Sequence, residues 1–174
     1  LGSEEYAPDA RAFETAAGIG DLDDKVQSMA RYFGLDKTTM TLADFKAVFT
    51  PYRYGFPTEI AVSAAAQTSV AKHYSMGRVS VELANVMPDG RTAYISDDGG
   101  NTGLFMFVAD QKADLRAGNL FAAHWAQTSD AGGGAATLDW IDLGHADDAT
   151  IRAAIEGGTR FSDIFETAEI TDGA

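Results

Sequence analysis

Apolar positions between Pro8 and Phe49 recur at steps of three and four residues, the spacing that gathers side chains on one face of a helix. Ala10, Phe13, Ala16 and Ala17 predict a first short helix, opened by Pro8 and interrupted by Gly18 and Gly20. A second is expected from Leu22 to Phe33, with Asp21, Asp23 and Asp24 at its positive end, Val26, Met29, Ala30 and Phe33 on one face, and Gly34 as terminator. Thr41 caps a third, Leu42 to Phe49, which Pro51 closes. After Pro57 the period falls to 2, and six strands follow: Thr58 to Val62, Arg78 to Ala84, Thr92 to Ser96, Gly103 to Ala109, Asn119 to Ala126 and Thr137 to Leu143. Val79, Val81 and Leu83 alternate with polar or small residues, as do Leu104, Met106 and Val108, and Pro88-Asp89-Gly90 forms a turn. Short turns between consecutive strands mean an antiparallel meander, in which the Arg78 strand pairs with the Thr92 strand. Asp130-Ala131-Gly132-Gly133-Gly134 reads as a hairpin tip, with a helix from Asp148 to Ile155 and a shorter one from Phe161 to Thr167 beyond it.

Charge narrows the function. Lys and Arg number 13 against 26 Asp and Glu, a formal charge of −13 and a pI near 4.4, which removes the basic footprint that nucleic-acid binding needs. Basic residues are also too few for a polybasic membrane anchor, and no run reaches the ~20 apolar residues of a membrane span. The absence of cysteine excludes thiolate ligands and cysteine nucleophiles. The opening Leu1-Gly2-Ser3-Glu4-Glu5-Tyr6 has neither an initiator Met nor the basic and apolar regions of a signal peptide, so the chain is expected to be a piece of a longer one.

Within this acidic composition two adjacent pairs draw attention. Glu4-Glu5 lies in a Gly-Ser context, and Asp97-Asp98 ends a strand just before Gly99-Gly100-Asn101, the oxygen-rich setting a hard cation such as calcium requires. Acidic pairs also arise by chance and face water, so composition does not separate the two readings. Glu59 and Glu82 interrupt apolar strand patterns and must face solvent or find a partner. His73, His124 and His145 lack zinc-ligand spacing and read as surface or hydrogen-bonded core residues. There is no Gly-x-Ser-x-Gly elbow and no phosphate-cradling glycine motif. Arg78 could clamp an anion with its planar fork, or cover the sheet with its stem.

In sequence order these segments resemble the PhoX-type alkaline phosphatases, exported calcium-dependent enzymes built on a β-propeller. Gly2-Ser3-Glu4-Glu5-Tyr6 resembles the family's Thr-Cys-Glu-Glu-Asn, and Arg53 to Ile60 resembles its Gly-Trp-Val-Val-Glu-Ile-Asp-Pro strand. Gly77-Arg78-Val79-Ser80-Val81-Glu82 is similar to its Gly-Arg-Phe-x-His-Glu. Tyr94 to Asp98 with Leu104 to Val108 is similar to its Tyr-x-Gly-Asp-Asp and Tyr-x-Phe-Val, and Leu115 to Ala123 is similar to its Leu-x-x-Gly-Thr-Leu-Tyr-Val-Ala.

The resemblance implies a mainly β fold, an antiparallel meander forming a partial β-propeller of about two blades with helical insertions. Its expected divisions are residues 1–57, a metal-site segment with a helical insertion; 58–143, the blades; and 144–174, a helical tail. It also implies a metal cluster of calcium and iron held by Glu4, Glu5, Glu59, Glu82, Asp97 and Asp98, with Arg78 neutralising phosphate from the other side. Ser3 replaces the family's iron-ligating Cys and Val81 its His, which leaves oxygen ligands suited to calcium. The implied partners are a phosphate ester substrate and the remainder of the parent chain or other subunits, and the implied compartment is the periplasm or the exterior. Six strands cannot close a propeller, so an isolated chain is expected to be unstable, oligomeric or partner-bound. A noncatalytic calcium-binding propeller module and an acidic domain without metal stay open at this stage.

Overall fold

The computed structural model describes residues 1–100 and 102–166. In chain order its helices are α1 (Ala10–Thr15), α2 (Asp24–Ser28), α3 (Leu42–Val48), α4 (Asp148–Glu156) and α5 (Phe161–Ile164). The strands are β1 (Thr58–Val62), β2 (Thr68–Lys72), β3 (Val81–Val86), β4 (Thr92–Asp97), β5 (Leu104–Gln111), β6 (Asp114–Ser129) and β7 (Ala135–Asp147). Two compact units result, one of Leu1–Ala7 with Tyr54–Ala153, the other of Pro8–Arg53 with the chain from Ala154.

The first unit is antiparallel β. β1 and β2 form a two-stranded sheet, and β3-β4-β5-β6-β7 form a five-stranded meander in sequence order; both sheets are open. The expected pairing of the Arg78 and Thr92 segments is present, with Val86 opposite Ala93 and Val81 opposite Asp97, although the strand starts at Val81. Pro88-Asp89-Gly90 makes the turn, Gly90 at φ 69°. There the Asp89 carboxylate accepts the Arg91 and Thr92 amides and the Thr92 hydroxyl, which hold its carboxyl down to about 2.

One strand was not foreseen. β2 carries a single large apolar residue, Val70, and the Ser63 to Gln67 connection contains no Gly, Asn or Asp to mark a turn. Ala66 takes φ 56° instead, and Ser63 donates its amide to the Gln67 carbonyl at 2.8 Å.

Met76, Val81, Ala84, Ala93, Ile95, Phe107, Ala109 and Leu115 form the core on one face of the large sheet. The alternation of Leu104, Met106 and Val108 identifies the strand but not its buried face, because Phe107 and Ala109 are fully buried and those three only half-buried. Phe107, paired with Leu120, needs Gly118 beneath its ring, opposite Ala109. A β-carbon there would lie 2.3 Å from the Val108 carbonyl oxygen and 2.7 Å from the Phe107 ring, and the backbone oxygen cannot swing aside. Gly118→Ala is therefore expected to lower stability by about 1–3 kcal/mol, the range for overpacking, visible as a lower urea midpoint.

β6 and β7 are longer than their apolar patterns, at 16 and 13 residues. β5 pairs with β6 only as far as Ala122, so Ala123 to Ser129 have β7 as their sole ladder neighbour among the described residues. The ribbon ends at the Asp130–Gly134 tip expected from the glycines.

The second unit is helical. Asp9 accepts the Ala12 amide at 3.0 Å to start α1, and Thr41 and Asp44 exchange reciprocal side-chain-to-amide bonds at the start of α3. The expected second helix is split into α2 and a tighter 3₁₀ run over Met29–Phe33, stopped by Gly34 at φ 73°. Phe45 and Phe49 stack at 4.6 Å between ring centroids, with Phe13 and Phe33 at 5.4 and 5.8 Å from Phe49. α5 ends at Ile164; its expected end, Thr167, lies outside the described residues.

Candidate metal centre

The opening segment is fixed to the first unit by a bridge at Gly2, whose amide donates to the Thr58 carbonyl at 2.7 Å and whose carbonyl accepts the Thr58 amide at 3.0 Å. Glu4 then turns back over the same region. Its Oε2 accepts the Gly55 and Phe56 amides at 3.0 and 3.2 Å, and Lys72 Nζ donates to its Oε1 at 2.7 Å. Glu5 is exposed. Tyr6 follows in the left-handed region at φ 56°, its amide donating to Ser80 Oγ at 2.9 Å.

Glu82 approaches from β3. The ladder slips between Val81, which faces Asp97, and Leu83, which faces Ser96, so Glu82 is the extra residue of a β-bulge. The slip explains why Glu82 and Leu83 are both exposed between buried Val81 and Ala84, a pattern that strict alternation forbids. Asp98 comes from the end of β4, where its amide donates to the Ser80 carbonyl at 2.9 Å.

Glu5, Glu82 and Asp98 each present a carboxylate oxygen within 4.8 Å of the other two, and all three are exposed. Oxygens gathered this closely suit a shared calcium ion, whose ligands stand at about 2.3–2.6 Å. The crowding of negative charge is felt by Tyr6. Its phenol donates to Glu5 and, with the charges of Glu5, Asp98 and Glu82 around it, is held above the ordinary tyrosine value.

The six ligands expected from the sequence therefore divide. Glu5, Glu82 and Asp98 share one place. Glu4 is occupied by two amides and Lys72, and Asp97 Oδ1 accepts the Ser80 amide at 2.8 Å. Glu59 belongs to a different network, with Oε2 3.0 Å from His73 Nε2. The Arg78 stem packs on Gly55, its Cγ 3.3 Å from where a β-carbon would sit there.

The Glu59 network escaped the sequence reading because its centre, His73, follows the unforeseen β2. His73 is 1% exposed, and its Nδ1 lies 3.0 Å from Asp148 Oδ2 while Asp148 Oδ1 accepts the Ser75 amide and hydroxyl. With a carboxylate on each nitrogen, the geometry suits a ring that donates from both. Burial alone pushes it down, but the bonds to Asp148 and Glu59 and their charges outweigh this and hold it above the ordinary histidine value. A raised folded-state value adds stability that is complete below about pH 6.5 and disappears as pH rises through that value. Denaturation midpoints are expected to fall as pH rises above neutrality, by at most about 1.4 kcal/mol per pH unit for one proton. His73→Gln is expected to remove that slope. His124 and His145 are exposed, the latter 3.0 Å from Asp110.

An antiparallel β unit that brings three exposed carboxylates to one point, with oxygen donors only, is a protein with the makings of a hard-cation site. Residues 2–171 match the family described as Alkaline phosphatase PhoX, nearly the whole chain, and the chain belongs to that family of metal-dependent phosphatases. No curated protein and no solved structure matches it. No helix among the described residues is long and apolar enough to cross a membrane.

Proposed function

We propose that this chain acts in calcium-dependent hydrolysis of phosphate esters, with Glu5, Glu82 and Asp98 as the residues that hold the ion. The observation that carries this reading is the approach of those three carboxylates to within 4.8 Å in a chain of the PhoX family. The donor set fits calcium: three carboxylate oxygens, all exposed, with room for water and substrate oxygens to complete six to eight positions. It does not fit iron held through sulfur or imidazole, because Ser3 offers a hydroxyl and Val81 is wholly buried in the core.

Calcium bound there would polarise a phosphoryl oxygen and stabilise the negative charge that develops on it. The chain's own residues do the rest. Glu5, Glu82 and Asp98 offset the ion's charge without burying a carboxylate. Glu4 and Asp97, in their hydrogen bonds to Lys72 and Ser80, fix the backbone on either side. Arg78, ahead of β3, is the residue we assign to clamp the phosphate, its guanidinium matching two phosphoryl oxygens at once.

The five-stranded meander has the up-and-down order of a propeller blade, and the β1–β2 hairpin would begin another, which supports the partial-propeller reading and a parent chain or further subunits that cover the open edges. Export to the periplasm or exterior follows from the family reading. One observation favours a second function. The buried valine at position 81, where the family pattern has histidine, fits a noncatalytic calcium-binding module. Release of a chromogenic alcohol from its phosphate ester, measured with calcium and with chelator alongside calorimetric calcium titration, decides between them. Chelator-sensitive hydrolysis supports the enzyme, calcium binding without turnover supports the module, and absence of both removes the metal reading.

A further inference from the structure

Ser80 offers the calcium centre no ligand, yet it joins the segments that carry all three. Its hydroxyl oxygen accepts the Tyr6 amide at 2.9 Å, one residue from Glu5. Its own amide donates to Asp97 Oδ1 at 2.8 Å, and its carbonyl accepts the Asp98 amide at 2.9 Å. Glu82 lies two residues further along the chain. From the entry to β3, one residue thus spends its three polar groups on the opening segment and the end of β4.

The bond to Tyr6 is the informative one. A bulky L-residue at φ 56° is held in a sparsely populated region that persists only where the surroundings enforce it. Tyr6 is 69% exposed, so side-chain packing does not enforce it. Relaxation of Tyr6 to an ordinary extended or helical φ would rotate the chain at the residue after Glu5 and carry that carboxylate away from Glu82 and Asp98. We propose that Ser80 is a positioning residue whose hydroxyl locks Tyr6 in its left-handed turn and thereby aims Glu5 at the other two carboxylates. This rests on the calcium reading above and adds to it the device that assembles the site.

The test uses calcium calorimetry and terbium luminescence, terbium serving as a calcium surrogate that emits when a nearby tyrosine is excited. In the wild type, terbium emission sensitised by Tyr6 is expected, and Tyr6→Phe abolishes it. Ser80→Ala is expected to weaken calcium binding at least about tenfold, as loss of a group that orients a ligand does, and to reduce the sensitised emission. Its far-UV circular dichroism should be unchanged, because the β3–β4 ladder starts at Val81. Ser80→Thr keeps the hydroxyl and should keep both signals. Tyr6→Pro removes the donor amide and fixes φ near about −65°; it should reproduce the loss of calcium affinity at an exposed position even where Ser80→Ala fails to fold. Wild-type affinity in Ser80→Ala or in Tyr6→Pro overturns the inference and leaves the centre standing. A wild type that takes up neither ion overturns the centre itself and the inference with it.

Discussion

Glu82→Gln is expected to weaken calcium binding by about 100-fold, the upper end of what removing one supporting group of a metal site costs, and phosphate ester hydrolysis should fall with it. Glutamine keeps the size of the side chain and one carbonyl oxygen, so the bulge between Val81 and Leu83 is retained and only the charge is lost. Because Glu82 is exposed among two other carboxylates, its neutralisation relieves repulsion in the ion-free protein, and the unfolding temperature without calcium should not fall. The signature is therefore specific: added calcium raises the unfolding temperature of the wild type by stabilising the native state, and the variant loses that rise. Calorimetric titration, hydrolysis rates and thermal scans at several calcium concentrations check it. A variant that still responds to calcium as the wild type does would remove Glu82 from the site.

Phe107→Ala should have the largest effect on stability, about 3–5 kcal/mol, the range for emptying a buried phenylalanine site. Phe107 is fully buried on β5, the middle strand of the meander, opposite Leu120 and beside Ile95 and Ala109 in the core. The ring lies over Gly118, where a β-carbon would meet it at 2.7 Å, so truncation leaves a void with backbone on one side, and backbone collapses poorly into a cavity. Measured against a typical total of about 5–15 kcal/mol, the loss is a large part of the whole. Urea denaturation followed by circular dichroism reads it directly, and the companion Phe107→Leu should lose less than half as much.

The sequence was most readable where local chemistry decided the structure. Pro88-Asp89-Gly90 supplied a turn with positive φ, the capping residue Thr41 started α3, and alternation with short connections fixed the order of the meander. It was less readable where both faces of a strand are apolar. β5 offers Leu104, Met106 and Val108 on one face and Phe105, Phe107 and Ala109 on the other, and it is the second set that packs into one core with Met76, Val81, Ile95 and Leu115. For the site, the resemblance gathered Glu5, Glu82 and Asp98 among six candidates without separating them. What separates them is a register slip at Glu82, amides at Gly55 and Phe56 that engage Glu4, and a histidine that engages Glu59, each set by residues distant in sequence. Ser80 carried no signal of its own, since its hydroxyl gains its role only from the Tyr6 amide, 74 residues away in sequence.

The part of the β6–β7 ribbon that outruns β5 gives the chain a place to vary. Beyond the Ala123–Trp140 pair, where Trp140 still lies 6.0 Å from the Tyr94 ring, the two strands have only each other as ladder neighbours among the described residues, so the length of the ribbon out to the Asp130–Gly134 tip is uncoupled from the β5 pairing. Side chains alternate every residue, however, and adding one residue to each strand would turn the tip's faces over while adding two would not. Length differences among relatives should accordingly come in even steps per strand. The same freedom makes the Gly132-Gly133-Gly134 bend a natural position at which to graft a peptide tag or a fluorophore without disturbing the acidic end of the sheet.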